Sequence, residues 1–132
     1  MKLSTKSRYG LRMLVDLYKN KEDKPITLAA IADRQDVSVN YLEQVASELK
    51  RAGLVYSIKG SNGGYVMAKE PKDIIVGDVI RLLEGDVRLT DDFPKEETVL
   101  QETIRASVYD KINVKIKNLV DSITLEELVN KD

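Results

Sequence analysis

What most constrains the fold of this chain is an order of periodicities: three helical stripes, then two strand-like runs set among glycines. Leu11, Leu14, Val15 and Tyr18 recur at i, i+3, i+4 and i+7, which predicts an amphipathic helix with Ser4 as its N-cap. Thr27 caps a short second helix whose inward side is Leu28, Ile31 and Ala32, and Gln35-Asp36-Val37 breaks the period. Ser38 then caps a third helix with the stripe Leu42, Val45, Ala46 and Leu49. Lys50 and Arg51 in its last turn and Gly53 just beyond are stop signals. Four of the seven glycines stand at 53, 60, 63 and 64. Around them Leu54–Ile58 and Tyr65–Met67 read as two short strands, joined by a Lys59–Gly64 loop whose tip should project from the sheet.

Beyond Pro71, Val76–Glu84 reads as a short helix with Val79, Leu82 and Leu83 inward, ending at Gly85. A polar connector follows to Pro94. From Lys95 an apolar series resumes: Leu100, Ile104, Val108, Ile112, Ile116, Leu119 and Ile123. A continuous helix over 95–121 would be about 40 Å long. Thr124-Leu125-Glu126-Glu127 has the pattern of a capping box opening a last helix. The expected fold is mainly α with a small β-hairpin wing. Residues 1–72 form a winged helix-turn-helix, 73–94 a short helix and connector, and 95–132 a long helix with a C-terminal capping helix.

At 132 residues the chain is one domain of ordinary size, with no Cys and no His. That removes thiol and imidazole nucleophiles and Cys/His metal sites, and no constellation of carboxylates, Lys or Ser suggests an enzyme. Glu126 and Glu127 are accounted for by the cap. No stretch approaches a membrane span and no apolar leader follows Met1, so a cytoplasmic protein is expected. The net charge of −1 divides unevenly: residues 1–70 carry +4 and residues 71–132 carry −5. A basic front suits a polyanion, although chance clustering on a solvated surface can do the same.

On the third helix, the face opposite the apolar stripe carries Asn40, Gln44, Ser47 and Arg51, flanked by Tyr41 and Glu43. Asn and Gln can bond an adenine edge bidentately, and Glu can accept from cytosine N4. Residues near the helix N-terminus reach the bases, which singles out Ser38, Asn40, Tyr41, Glu43 and Gln44 as readers. Any surface helix has a polar face, so the hairpin adds weight. Lys59, Gly60, Ser61, Asn62 and Gly63 at its tip let backbone approach a phosphate or a narrow minor groove. Ser4, Lys6 and Arg8 are phosphate-contact candidates or a solvated basic terminus. The apolar series from Leu100 to Ile123 would leave a large strip exposed in a monomer, which predicts a two-fold dimer and a near-palindromic operator in double-stranded DNA.

The chain resembles the Rrf-two (IscR/CymR-type) family of winged-helix transcription regulators from end to end. The matching stretches are Met1–Lys6, Arg8-Tyr9-Gly10-Leu11, Tyr41-Leu42-Glu43-Gln44, Gly53-Leu54-Val55, Lys59-Gly60 with Gly63-Gly64-Tyr65, Gly77–Ile80 with Leu83-Glu84-Gly85, and Thr124–Leu128. The resemblance implies that the second and third helices form the helix-turn-helix and that the wing carrying Lys59 enters the minor groove. It also implies that the long C-terminal helix makes a homodimer. Relatives that sense iron, oxygen or nitric oxide carry three cysteines in the connector; here it reads Gly85–Pro94 without one, so no iron–sulfur cofactor is expected. Asp86, Asp91 and Asp92 could ligate a hard cation, but so short an acidic loop is ordinarily just solvated. The cluster-free branch of the family works through an enzyme of cysteine synthesis, which implies a repressor of sulfur metabolism with a metabolic-enzyme partner as regulator; the other routes are a small-molecule effector or no effector at all.

Three departures from the family pattern bear on DNA affinity. Lys59 stands where many relatives have Arg, Ser7 replaces a frequent Gly, and Asp36 occupies an interhelix turn where Gly is common. With the slightly acidic overall charge, they leave open an alternative: a protein-interaction adaptor with a winged-helix fold and weak DNA affinity.

Overall fold

A computed structural model of the chain describes residues 2–89 and 95–131. Helix α1 (Thr5–Lys19) lies at the centre, and α2 (Leu28–Gln35) and α3 (Val39–Arg51) pack against it. All three begin where a hydroxyl can accept a free backbone N–H: Ser4 from Lys6, Thr27 from Ala30 and Ser38 from Tyr41. Asp36 closes α2 in the left-handed region, with φ 54° and ψ 54°. Val37 N–H then returns to the Ala32 carbonyl at 3.0 Å, so the three-residue turn needs no glycine.

Strands β1 (Val55–Ile58) and β2 (Gly64–Met67) form an antiparallel wing in which Val55 faces Met67 and Ile58 faces Gly64. The wing also has a partner the local pattern conceals. Ile26, just before α2, exchanges two backbone hydrogen bonds with Tyr65, at 2.7 and 3.1 Å. Gly64 makes this approach feasible: a side chain there would overlap the Ile26 backbone, and its φ of 150° disfavours one.

After a 3₁₀ turn (Pro71–Asp73), α4 (Val76–Glu84) returns to α1 and the chain enters the connector. The inward face of α4 is Val76, Gly77, Val79, Ile80 and Leu83. Leu82, expected inside, is 39% exposed, because it lies about 100° around the helix from Leu83. On α1 the innermost residues are Gly10, Met13, Leu14 and Leu17, while Leu11, Val15 and Tyr18 border the core. The buried arc of α1 is wider than its simple stripe because α2, α3, α4 and the last helix all rest on it.

The long C-terminal helix starts at Val99, four residues later than the expected Lys95. Thr98 and Gln101 form a reciprocal capping box that opens α5 (Val99–Ile104), which runs through a π-helical turn (Arg105–Tyr109) into α6 (Asp110–Asp121). The run spans about 35 Å. The π turn has a geometric consequence: residues four apart drift by about 40° per step on an α-helix, so Leu100 and Ile116 would diverge by about 160°. One extra residue in a turn brings that back to about 60°.

The last helix, α7 (Leu125–Val129), is not opened by the expected capping box, since Thr124 makes no side-chain cap bond. Its start is fixed by backbone instead: Leu125 N–H donates to the Ile74 carbonyl and Val76 N–H to the Ile123 carbonyl, each at 2.8 Å. Leu125 thereby enters the same core as Met13, Ile31, Val45 and Val79.

One buried carboxylate ties α1 to α2. Asp16 accepts from Arg34 Nε at 3.0 Å and Nη2 at 2.6 Å, and from Gln35 Nε2 at 2.9 Å. Asp16→Ala strips Arg34 and Gln35 of this acceptor and is expected to lower stability by about 2–3 kcal/mol, since bonds to charged groups carry that much. Urea unfolding checks this: the midpoint should fall at constant slope, and a loss under about 0.5 kcal/mol would show the fork to be unimportant.

Candidate nucleic-acid interface

The turn and cap at Asp36–Ser38 set α3 with its apolar stripe on α1 and its other face in solvent. Ser38, Asn40, Glu43, Gln44, Ser47 and Arg51 are all exposed. Lys6, Asn40, Glu43, Gln44, Ser47, Glu48 and Arg51 border one open depression of about 610 Å³. Tyr41 differs from the other predicted readers. It is half-buried, its ring meets Tyr9 edge-on at 5.2 Å, and its hydroxyl lies 3.1 Å from Thr5 Oγ1. Its hydroxyl edge borders the face while its ring braces α3 on α1. Arg12, whose guanidinium carbon lies 5.4 Å from the Tyr9 ring centre, bonds Gln35 Oε1 at 3.1 Å and the Gln35 carbonyl, joining this brace to the end of α2.

The basic candidates fall into two groups. Arg8, Arg51 and Lys59 are exposed and form no ion pair among the described residues. Lys6 is held by Glu48 of α3, Nζ to Oε1 at 2.7 Å. The other Glu48 oxygen, Oε2, is buried and has no hydrogen-bond partner among the described residues. Sequence reading missed Glu48; its position four residues after Gln44 on the polar side of α3 was the available signal. Ser4 is also engaged. Its backbone N–H donates to Glu84 Oε1 at 3.0 Å and its hydroxyl bonds the same oxygen. The Ser4 hydroxyl bond chiefly holds the Glu84 carboxyl below the ordinary carboxylate range. Ser7 is buried, with its hydroxyl donating to the Ser4 carbonyl at 3.3 Å, so it presents nothing to a phosphate.

At the wing tip Lys59, Gly60, Ser61 and Asn62 are exposed, and Gly63 is half-buried with its N–H on the Gly60 carbonyl at 3.0 Å. A side chain at Gly63 would overlap the Ile58 carbonyl oxygen, so the tip stays slim. Exposed backbone, a slim tip and one cation suit a phosphate or a narrow groove.

On the C-terminal helix, Leu100, Ile104, Val108, Ile112 and Leu119 are exposed and Ile116 is half-buried. Ile123 lies past the helix end, beyond Ser122. Asp91 and Asp92 lie outside the described residues. Among the described residues no helix is long and apolar enough to cross a membrane.

This architecture has close counterparts. The profile of the Rrf2 family, described as an iron-dependent transcriptional regulator, matches residues 3–131. The HTH-type transcriptional regulator CymR of Bacillus subtilis is 42% identical over 130 residues, 98% of this chain and 91% of that protein. The HTH-type transcriptional regulator IscR of Yersinia enterocolitica is 36% identical over 135 residues, 98% of this chain and 80% of that protein. The solved structure of CymR, the global cysteine regulator of B. subtilis, superposes with a TM-score of 0.85 at 40% identity, covering 100% of this chain and 99% of that one. The iron in the family description finds no matching donors: the chain lacks Cys and His, and no metal-binding group of three or more acids occurs among the described residues. A cysteine-ligated cluster therefore does not fit. In sequence and fold, the chain belongs to the Rrf2 family of winged-helix, DNA-binding transcriptional regulators.

Proposed function

We infer that the chain is a homodimeric, sequence-specific repressor of metabolic genes that binds a near-palindromic operator. The observation that carries this reading is the solvent face of α3, where Asn40, Gln44, Ser47 and Arg51 stand together over one depression. Asn40 and Gln44 read base edges in the major groove, with Ser38, Glu43 and the Tyr41 hydroxyl at the margins. Arg8, Arg51 and the wing residues Lys59–Gly63 contact backbone, and Lys6 joins them by leaving Glu48. Residues 1–72 supply this surface, 73–94 couple it, and 95–132 supply the dimer contact.

Dimerisation follows from the apolar strip. Leu100 is 68% and Leu119 63% exposed, and a second copy crossing on the two-fold axis would cover both. Two α3 helices would then enter major grooves one turn apart, about 34–36 Å. The likeness to the cysteine regulator of B. subtilis supports genes of sulfur metabolism as targets and a metabolic enzyme or small molecule as the signal. Reading chromosomal DNA places the protein in the cytoplasm.

Selection of bound genomic fragments, followed by titration of the best one at two salt concentrations, tests the function. Asn40→Ala/Gln44→Ala is expected to relax base preference by about 1–3 kcal/mol per lost bidentate contact. Weak binding that ignores sequence, salt and this variant would favour the adaptor reading instead.

The Lys6–Glu48 pair gives an expectation of opposite sign. A part-exposed pair is worth at most about 1 kcal/mol, so Glu48→Gln should tighten operator binding by up to about fivefold. Lys6→Ala should weaken it and flatten the salt slope by about one unit. If Glu48→Gln weakens binding, the carboxylate itself contacts DNA. For the dimer, Leu119→Glu should leave a folded monomer by sedimentation and cost about 100-fold in operator affinity. A dimer that persists would place the interface elsewhere.

A further inference from the structure

A cavity of about 320 Å³ opens where α4, the start of the connector and α6 meet. Val87, Val114 and Val120 give it an apolar floor, and Arg81, Arg88 and Lys117 give it a cationic rim, with Asp86 the one acid among the described lining residues. Its size and its mix of apolar floor and few polar groups are those of a small-molecule site.

Arg81 indicates the ligand chemistry. Its Nη2 alone serves both nearby acids, Asp78 at 2.8 Å and Asp121 at 2.6 Å. Nε–H and Nη1–H make no hydrogen bond among the described residues. Lys117 shares Asp121 with it, at 2.9 Å, so two cations lean on one carboxylate, and Asp78 is 69% exposed. A planar guanidinium with spare donors beside an apolar floor matches a carboxylate carrying a short hydrocarbon tail. Gly77 permits this arrangement, because a side chain there would overlap the Asp121 carboxylate.

The cavity is distinct from the dimer strip. On α6 the residues Asn113, Lys117 and Val120 centre about 100° around the helix from Ile112, Ile116 and Leu119, with Val120 nearest the strip, about 40° from Ile116. Covering the strip therefore leaves Val114 and Lys117, on the far side of the cavity, uncovered. Its walls also reach the DNA-binding half. Asn113 Oδ1 accepts from Leu89 N–H at 2.6 Å, fastening the connector to α6. Three residues after Arg81, Glu84 holds the Ser4 cap of α1. A bound molecule would clamp α4, connector and α6 into one relation and fix the start of α1 with them.

We propose that this cavity is an effector site for a small organic monocarboxylate with a short apolar tail. Its occupancy stands independently; its regulatory effect rests on the DNA-binding reading.

The test uses the full chain with ¹³C-labelled valine methyls, titrated with isovalerate, with acetate (charge without tail) and with isovaleramide (tail without charge). Isovalerate should shift the Val87, Val114 and Val120 methyls saturably in the millimolar range. Acetate should bind about tenfold more weakly for want of the tail, and isovaleramide not at all. Arg81→Gln should abolish the response. Because that variant also loosens α4 from α6, Val114→Asp, at a position 55% exposed, serves as the second and should abolish it with the fold intact. No saturable shift, an equal response to acetate or isovaleramide, or a response unchanged in Val114→Asp overturns the site. Operator affinity measured with and without isovalerate then separates the claims. A change supports the effector role, and saturation without a change overturns it. Absence of operator binding both with and without isovalerate refutes the sequence-specific DNA-binding reading and leaves the methyl titration to decide the site.

Discussion

The buried carboxylate of Asp16 is the interaction on which the solvent face of α3 depends. An ionised group in a core is tolerated only when its oxygens are saturated, and Arg34 and Gln35 saturate them from the last turn of α2. The contact fixes the C-terminus of α2 against α1, and from there the chain has little freedom. Asp36 turns in the left-handed region, Ser38 caps, and α3 must emerge with Leu42, Val45, Ala46 and Leu49 inward. The orientation of Asn40 and Gln44 toward solvent is thus set from behind, by a polar contact that touches no ligand.

Two carboxylates modulate the surface this creates. Glu48 holds Lys6 and Glu84 holds Ser4, so the N-terminal segment is pinned at two points before any partner arrives. Both contacts are partly solvated and therefore modest. That suits a surface whose cations must exchange one anion for another. Pinning also limits the entropy lost when the segment orders on a duplex. Glu84 sits at the end of α4 next to the connector, so the same contact that steadies the N-terminal segment lies at the junction with the C-terminal helix.

Much of this was legible because it is local. Hydroxyl caps at Ser4, Thr27 and Ser38, the left-handed tolerance of Asp36, and the glycine-bounded strands all act within a few residues of themselves. The same holds for the polar face of α3, which follows from the helical period alone. What escaped is what depends on distant partners. Ile26 becomes a strand neighbour only when Gly64 folds beside it, and Thr124 yields its capping role to backbone bonds with residues 74–76. Leu82 turns outward because α4 seats Val79 and Leu83 in the core formed with α1. The start of the long helix escapes because the apolar series, which opens at Leu100, does not mark it, whereas the Thr98–Gln101 capping box does. The π turn is implied by spacing only once the stripe is required to stay on one side. On α3, the exposure of Asn40, Gln44, Ser47 and Arg51 follows from the helical period, whereas the pairing of Lys6 with Glu48 needed the geometry that brings α1 and α3 together.

The central claim is that two α3 helices, fixed by the same buried contacts in each protomer, enter successive major grooves. Guanine N7 methylation interference on the selected operator measures this most directly, because N7 lies in the major groove. Two clusters of interference related by a two-fold axis and separated by about 34–36 Å are predicted. A single cluster, or interference spread evenly along the duplex, would contradict the account.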